Sequence, residues 1–142
     1  MRWLALDLGR RRVGAALCDS AEVVTSTLPS FPLANLLEKV TAIVAHYGVE
    51  GIVVGVPVTK SGAGRGEVRA ARVVACLARL GLPVEREDEG GTTAAAEALL
   101  REAGVPRRKW AGRVDSLAAR LILESFLDRR RHLRAPPPGK ET

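Results

Sequence analysis

The apolar patterning of the chain predicts an α/β domain built on a mixed five-stranded sheet, three antiparallel strands followed by two parallel ones, with helices on both faces. Three observations carry this. The first 28 residues hold three short segments rich in apolar and β-branched residues with no room for a helix between them. Gly51–Val56, GIVVGV, is an unbroken apolar run, the pattern of a strand covered on both sides. Segments with helical periodicity then alternate with strand-like ones, as βα crossovers require.

In chain order, Leu4–Leu6 reads as a buried strand that stops at Asp7, and Val13–Leu17 as its hairpin partner, the turn lying among Gly9, Arg10, Arg11 and Arg12. Glu22–Leu28 (EVVTSTL) predicts a third strand ended by Pro29 and Pro32, with Asp19 as a turn residue before it. Leu33–Tyr47 places Leu33, Leu36, Leu37, Val40, Ile43, Val44 and Tyr47 at helical spacing, and Gly48 follows as its cap. After the GIVVGV strand, Pro57–Gly66 has three glycines in its last five residues and predicts a mobile loop at the strand's C-terminal end. Glu67–Leu80 predicts a second helix closed by Gly81, and Pro83–Glu89 a weak strand near an edge. Thr92–Ala103 predicts an alanine-rich helix with Thr92 or Thr93 as N-cap and Gly104 at its end. Gly104–Gly112 reads as a basic loop around Trp110, and Val114–Leu127 as the last helix, with Val114, Leu117, Leu121 and Ile122 facing in. Residues 1–128 thus form one domain, and Arg129–Thr142, with its proline triplet and little to bury, is expected to be a disordered basic tail.

A chain of 142 residues with 46% hydrophobic content suffices for one core. No run reaches the ~20 apolar residues of a membrane span, so the expectation is a soluble, cytoplasmic protein with no membrane partner. Cys18 and Cys76 each lie in an apolar run, which signals neither a disulfide framework nor a zinc site. The net charge of +6, carried mostly by arginine, favours a polyanionic partner such as nucleic acid, although a merely solvated basic surface has the same composition.

Ligands in such sheets gather at the carboxyl ends of the parallel strands. Asp7 ends the first strand, Asp88 and Glu89 end the fifth, and Asp115 stands in the first turn of the last helix. Acids from three distant places converge on one edge. Bare carboxylates at close range repel one another, and all-oxygen ligation favours a hard ion, Mg²⁺ or Mn²⁺. An ion or ion pair held this way suits phosphodiester hydrolysis, with Asp7 as the bridging carboxylate. Each acid also has an ordinary role open to it: Asp115 offsets a helix dipole, and Asp88 and Glu89 serve a turn. Their joint position is what points to chemistry.

The remaining pieces suit a phosphate-rich substrate. Gly9 admits a phosphate close to the backbone beside Arg10, Arg11 and Arg12. Thr92 and Thr93 open a helix whose amides suit an anion, though capping alone explains them. Arg107, Arg108 and Lys109 flank Trp110, whose ring either stacks on a base or packs beneath the loop. Nothing in the chain suggests a serine–histidine–acid nucleophile.

Four blocks, LALDLGRRRVGAALCD, IVVGVPV with its glycine-rich loop, EDEGGTTAAAEALL and VDSLAARLILESFLD, stand in an order and at a spacing that resemble the YqgF/RuvX family. These are Holliday junction resolvases, also described as pre-16S ribosomal RNA nucleases, of the ribonuclease H-like superfamily. The resemblance spans nearly all of the chain before the tail. It implies a ribonuclease H-like fold, a metal-dependent nuclease of structured nucleic acid, and catalytic acids at Asp7, the Asp88–Glu89 pair and Asp115. The partners it implies are precursor ribosomal RNA, branched DNA or both, with ribosomal particles as a setting, for a monomer or homodimer. The family follows its Asp-Glu pair with arginine and an apolar residue, where this chain has Gly90 and Gly91. Only one of two adjacent strand side chains can face the metal, and Glu89 is favoured over Asp88.

Two rivals share these features. Sugar kinases of the actin superfamily use a similar opening hairpin, but pair two such domains where this chain has room for one. A non-catalytic RNA-binding module of ribosome assembly, on the same fold, is the other, made credible by Gly90 and Gly91.

Overall fold

The computed structural model describes residues 1–56 and 64–134. Five strands form one sheet in the order β3-β2-β1-β4-β5. The central strand β1 (Trp3–Leu8) pairs antiparallel with β2 (Arg12–Cys18), which pairs antiparallel with β3 (Thr25–Pro32). On its other side β1 pairs parallel with β4 (Gly51–Val56), and β4 with β5 (Val84–Asp88). The α/β, ribonuclease H-like mixed sheet expected from the sequence is therefore the architecture found.

Period-two alternation divides the sheet's residues between two cores. Leu4, Leu6, Val13, Ala15, Leu17, Ile52 and Val54 cluster on one face with Leu36 and Val40 of α1 (Leu36–Tyr47) and Ala70, Val73 and Leu77 of α2 (Arg65–Leu77). Trp3, Ala5, Ala16, Cys18 and Val53 cluster on the other with Ala119, Ile122, Leu123, Phe126 and Leu127 of α4 (Arg113–Arg134). The parity of Trp3 and Ala5 puts Asp7 on this second face. Helix α3 (Thr92–Glu102) packs on α4.

Several local expectations need correction. The third strand starts later and runs through both prolines. Asp19 turns the chain first, its Oδ1 accepting the Val23 and Val24 amides at 2.8 and 2.9 Å. β3 then tolerates Pro29 because it is an edge strand, and two residues lie between Leu28 and Phe31, the partners of Ala15 and Val13, which bulges β3 at Pro29–Ser30. A 3₁₀ turn, Leu33–Asn35, precedes α1, and α2 begins at Arg65 rather than Glu67 and passes into a 3₁₀ turn, Ala78–Leu80. Most of the expected glycine-rich loop, residues 57–63, lies outside the described residues. The N-cap of α3 is Gly91 at φ 77°, not either threonine. Of the four residues expected to face in from the last helix, Ile122 is fully buried and Val114, Leu117 and Leu121 are half-buried.

The largest difference concerns the tail. Arg129–Arg134 continue α4 instead of leaving the fold. Arg129 donates to Glu87 Oε1 from Nη2 at 2.7 Å, and Arg130 donates from Nε to Glu22 Oε1 at 2.7 Å. Both glutamates are buried, so the helix extension brings the cations that each needs. Residues 135–142 lie outside the described part.

Candidate active site

The acidic site is set by two facing strand residues. Asp7 of β1 is in register with Gly14 of β2, and both belong to the α4 face. A methyl group at Gly14 would stand 1.9 Å from the Asp115 carbonyl oxygen and 2.8 Å from the Ser116 amide nitrogen. Glycine there lets the first turn of α4 rest directly on β2, which carries Asp115 to Asp7.

The third acid arrives from the other side by the same alternation. Val84 packs with the α1/α2 core and Glu87 bonds Ser125 and Arg129 of α4, so Glu89, of Glu87's parity, turns towards α4. Its amide donates to Val56 O at 3.0 Å, keeping it on the β4 ladder one residue beyond β5. Gly55 clears the space: a methyl group there would stand 2.5 Å from Ile122 Cδ1 and 3.2 Å from Glu89 Oε2. Thr92 ties the following turn, its amide and hydroxyl donating to Glu89 O at 3.0 and 2.8 Å.

Asp7 and Glu89 consequently meet as two carboxyl groups. The Asp7 carboxyl is pushed up to about 8, first by burial, then by its hydrogen bond with Glu89, then by the charges of Glu89 and Asp115. Glu89 Oε2 is buried and has no hydrogen-bond partner. These facts have one cause: two ionised carboxylates are both acceptors, so contact between them is satisfied only by a shared proton or a cation. A hard dication suits such a donor set. Among the described residues, however, no three His, Cys, Asp or Glu side chains gather tightly enough to hold a metal ion. The pair Asp7–Glu89 is the centre of the candidate site, and Asp115, half-buried, stands at its margin.

Asp88 is not part of this group. It is exposed, and its Oδ1 accepts the Gly90 amide at 2.7 Å, the turn role open to it. Gly9 closes the β1–β2 hairpin by donating to Arg12 O at 2.8 Å, and the heads of Arg10, Arg11 and Arg12 are exposed around it. Thr93 is exposed at the start of α3. Arg107, Arg108 and Lys109 form an exposed 3₁₀ turn that leads through Trp110 into α4. The Trp110 ring packs: its Nε1 donates to Val105 O at 2.8 Å, and Arg107 and Arg101 lie over it at 5.3 and 5.7 Å. Gly14 and Gly55 are the site residues that sequence reading passed over. Gly14 was within reach of it, because counting outward from the hairpin turn pairs it with Asp7.

The fold recurs in solved resolvases. T. thermophilus RuvC in complex with a Holliday junction substrate matches with a TM-score of 0.59 at 15% identity, over 93% of this chain and 96% of that one. The fowlpox virus Holliday junction resolvase matches with a TM-score of 0.55 at 12% identity, over 91% and 99%. Fold and sequence together define the class as a ribonuclease H-like nuclease. The RuvX family model, described as Holliday junction resolvase, matches residues 1–129, and the chain belongs to that family. Among its relatives is a protein of Syntrophus aciditrophicus named "Putative pre-16S rRNA nuclease", 43% identical over 136 residues, 90% of this chain and 89% of the relative. One of the same name from Pelotomaculum thermopropionicum is 40% identical over 146 residues, 99% and 95%. Among the described residues no helix is long and apolar enough to cross a membrane.

Proposed function

We propose that the chain hydrolyses phosphodiester bonds in structured nucleic acid with the help of Mg²⁺ or Mn²⁺, in 5′-end processing of precursor 16S ribosomal RNA, in resolution of Holliday junctions, or in both. The observation that carries this is the half-buried Asp7–Glu89 carboxyl pair, with Glu89 Oε2 out of contact with water and Asp115 brought alongside by Gly14. Asp7 and Glu89 would hold the ion, with Asp115 joining from α4. When bound, it supplies Lewis-acid activation of water and charge neutralisation at the leaving oxygen.

The chain's own residues do the rest. Asp7, whose carboxyl is pushed up to about 8, must release its proton before it can act as a ligand, so ion uptake near neutral pH liberates a proton. Thr92 fixes the backbone at Glu89 and so the angle at which that carboxylate enters. Arg10, Arg11 and Arg12 on one side, and Arg107, Arg108 and Lys109 on the other, hold phosphates on the two flanks. The proposed setting is cytoplasmic, on ribosomal precursor particles, by a monomer or a two-fold dimer; a dimer would serve symmetric cuts in a junction.

The test incubates purified protein with end-labelled precursor 16S RNA and with four-way DNA junctions, in Mg²⁺, in Mn²⁺ and in chelator. Cleavage is expected only with the ions, and Asp7→Asn should abolish it while binding persists. Binding without cleavage under either ion would replace this reading with the non-catalytic RNA-binding module, which the glycines at 90 and 91 favour.

A further inference from the structure

Beside the acids, on the opposite flank of the start of α4, lies a groove of about 650 Å³ between β3 and the helix. Arg12, Arg113 and Arg120 line it together with Thr27 and Ser30, and among the described residues no acidic side chain does. Arg113 is two residues before Asp115 on α4 and Arg12 two before Gly14 on β2, so the groove and the acidic site are built on the same two elements. The bulge of β3 at Pro29–Ser30 opens one wall. Gly112, at φ +81°, forms the floor: a methyl group there would stand 2.8 Å from Ser30 Oγ and 3.3 Å from Arg12 Nη2.

Much of the polar lining is unspent. Among the described residues Arg12 and Arg113 have no ion-pair partner, and the Thr27 and Ser30 hydroxyls have no hydrogen bond. Arg120 is aimed by its Nε alone, which donates at 3.0 Å to both Thr25 Oγ1 and Glu124 Oε1, leaving its terminal nitrogens for a ligand. The Arg12 and Arg113 guanidinium groups face no carboxylate, and Arg120 spends only its Nε on Glu124, so together they suit a polyanion, and forked donors suit phosphate. Two hydroxyls among them offer both donor and acceptor to a ribose 2′-hydroxyl, which deoxyribose lacks.

We infer that this groove between β3 and α4 grips the ribose–phosphate backbone of an RNA strand running on from the cleavage point. The inference rests on the nuclease reading for the strand's origin and adds the direction it takes, along α4 from Arg113 to Arg120. Those two residues are seven apart, about two helical turns, so they meet successive parts of one strand.

The experiment measures fluorescence anisotropy of the full chain with a labelled RNA stem bearing a single-stranded 5′ extension, and with DNA of the same sequence, in chelator and over a salt series. Arg113→Glu is expected to weaken RNA binding at least about tenfold and to lower the salt slope by about one. An acid at the first turn of a helix is favourable, so the fold should survive; Arg113→Gln, with a matching thermal melt, is the second variant. The Thr27→Ala/Ser30→Ala double variant should weaken RNA about threefold and leave DNA unchanged. Binding within twofold of wild type for both Arg113 variants would overturn the groove. An equal loss on DNA for the hydroxyl variant would overturn the assignment to RNA. Cleavage by the wild type in Mn²⁺, scored separately, tells failure of the groove from failure of the nuclease reading.

Discussion

Gly14 decides more about the site than any charged residue, because the first turn of α4 lies where its side chain would be. Neither contact is with a flexible side chain tip: both are backbone atoms of Asp115 and Ser116, which cannot yield without moving the helix. Gly14→Ala should therefore cost several kcal/mol, more than the ~1–3 typical of overpacking, and carry Asp115 away from Asp7. Gly55→Ala is the control. There the nearest atom is the Ile122 Cδ1 methyl, which can rotate away, so a loss of ~1–3 kcal/mol is expected. Urea unfolding of both variants, with Mn²⁺ binding by calorimetry, checks the order. Equal losses in the two would mean that the helix start is not pinned at Gly14.

At the level of elements, α4 is both the lid of the second core and the arm that carries Asp115, and its last two turns are held by buried acids. Arg130 reaches Glu22 and lies over the Trp3 ring at 4.9 Å, while Arg129 reaches Glu87. Glu22 needs this company, because it is buried in a turn at φ 59°, where among the described residues the Arg130, Arg134 and N-terminal charges balance it. Its carboxyl is drawn down to about 2, chiefly by its hydrogen bond with Arg130, against the opposing effect of burial. A depressed carboxyl stabilises the fold above its unfolded value and loses that contribution as pH falls from about 4.5 towards 2. Arg130→Met should cost roughly 1–3 kcal/mol, less than for a pair left wholly unbalanced because two other cations remain. It should also flatten the acid limb of the stability curve, as read by thermal melts between pH 2 and 6. An unchanged acid limb would show that Glu22 draws its balance elsewhere.

For the whole molecule, the acidic site opposes folding in the absence of an ion. Asp7 is ordinarily ionised above 3.8 but holds its proton to about 8 in the fold, so between these values the folded state carries the extra proton. Stability then falls as pH rises from about 4 to about 8, the reverse of the Glu22 effect. The metal-free protein should be most stable near pH 4, where the two opposing losses balance. Urea titrations at pH 5 and pH 8 should show the lower midpoint at pH 8, with Mn²⁺ restoring it by binding the ionised pair. Asp7→Asn should remove most of the difference. A midpoint that rises from pH 5 to pH 8 in chelator would mean that the carboxyl pair is not strained.

Local patterning alone specified the order of strands and helices and the three segments that carry the candidate acids, because periodicity and glycine punctuation act within a few residues. It left Asp88 and Glu89 unresolved by more than a preference, since the parity of β5 depends on which core Val84 and Glu87 join. It also misjudged Arg129–Arg134, whose charges look solvated until Glu22 and Glu87, about a hundred and about forty positions away, are folded beside them. The tertiary structure alone decided how closely the helix could approach Asp7, because that distance is set by a missing side chain on a neighbouring strand, and an absence has meaning only once something is packed against it.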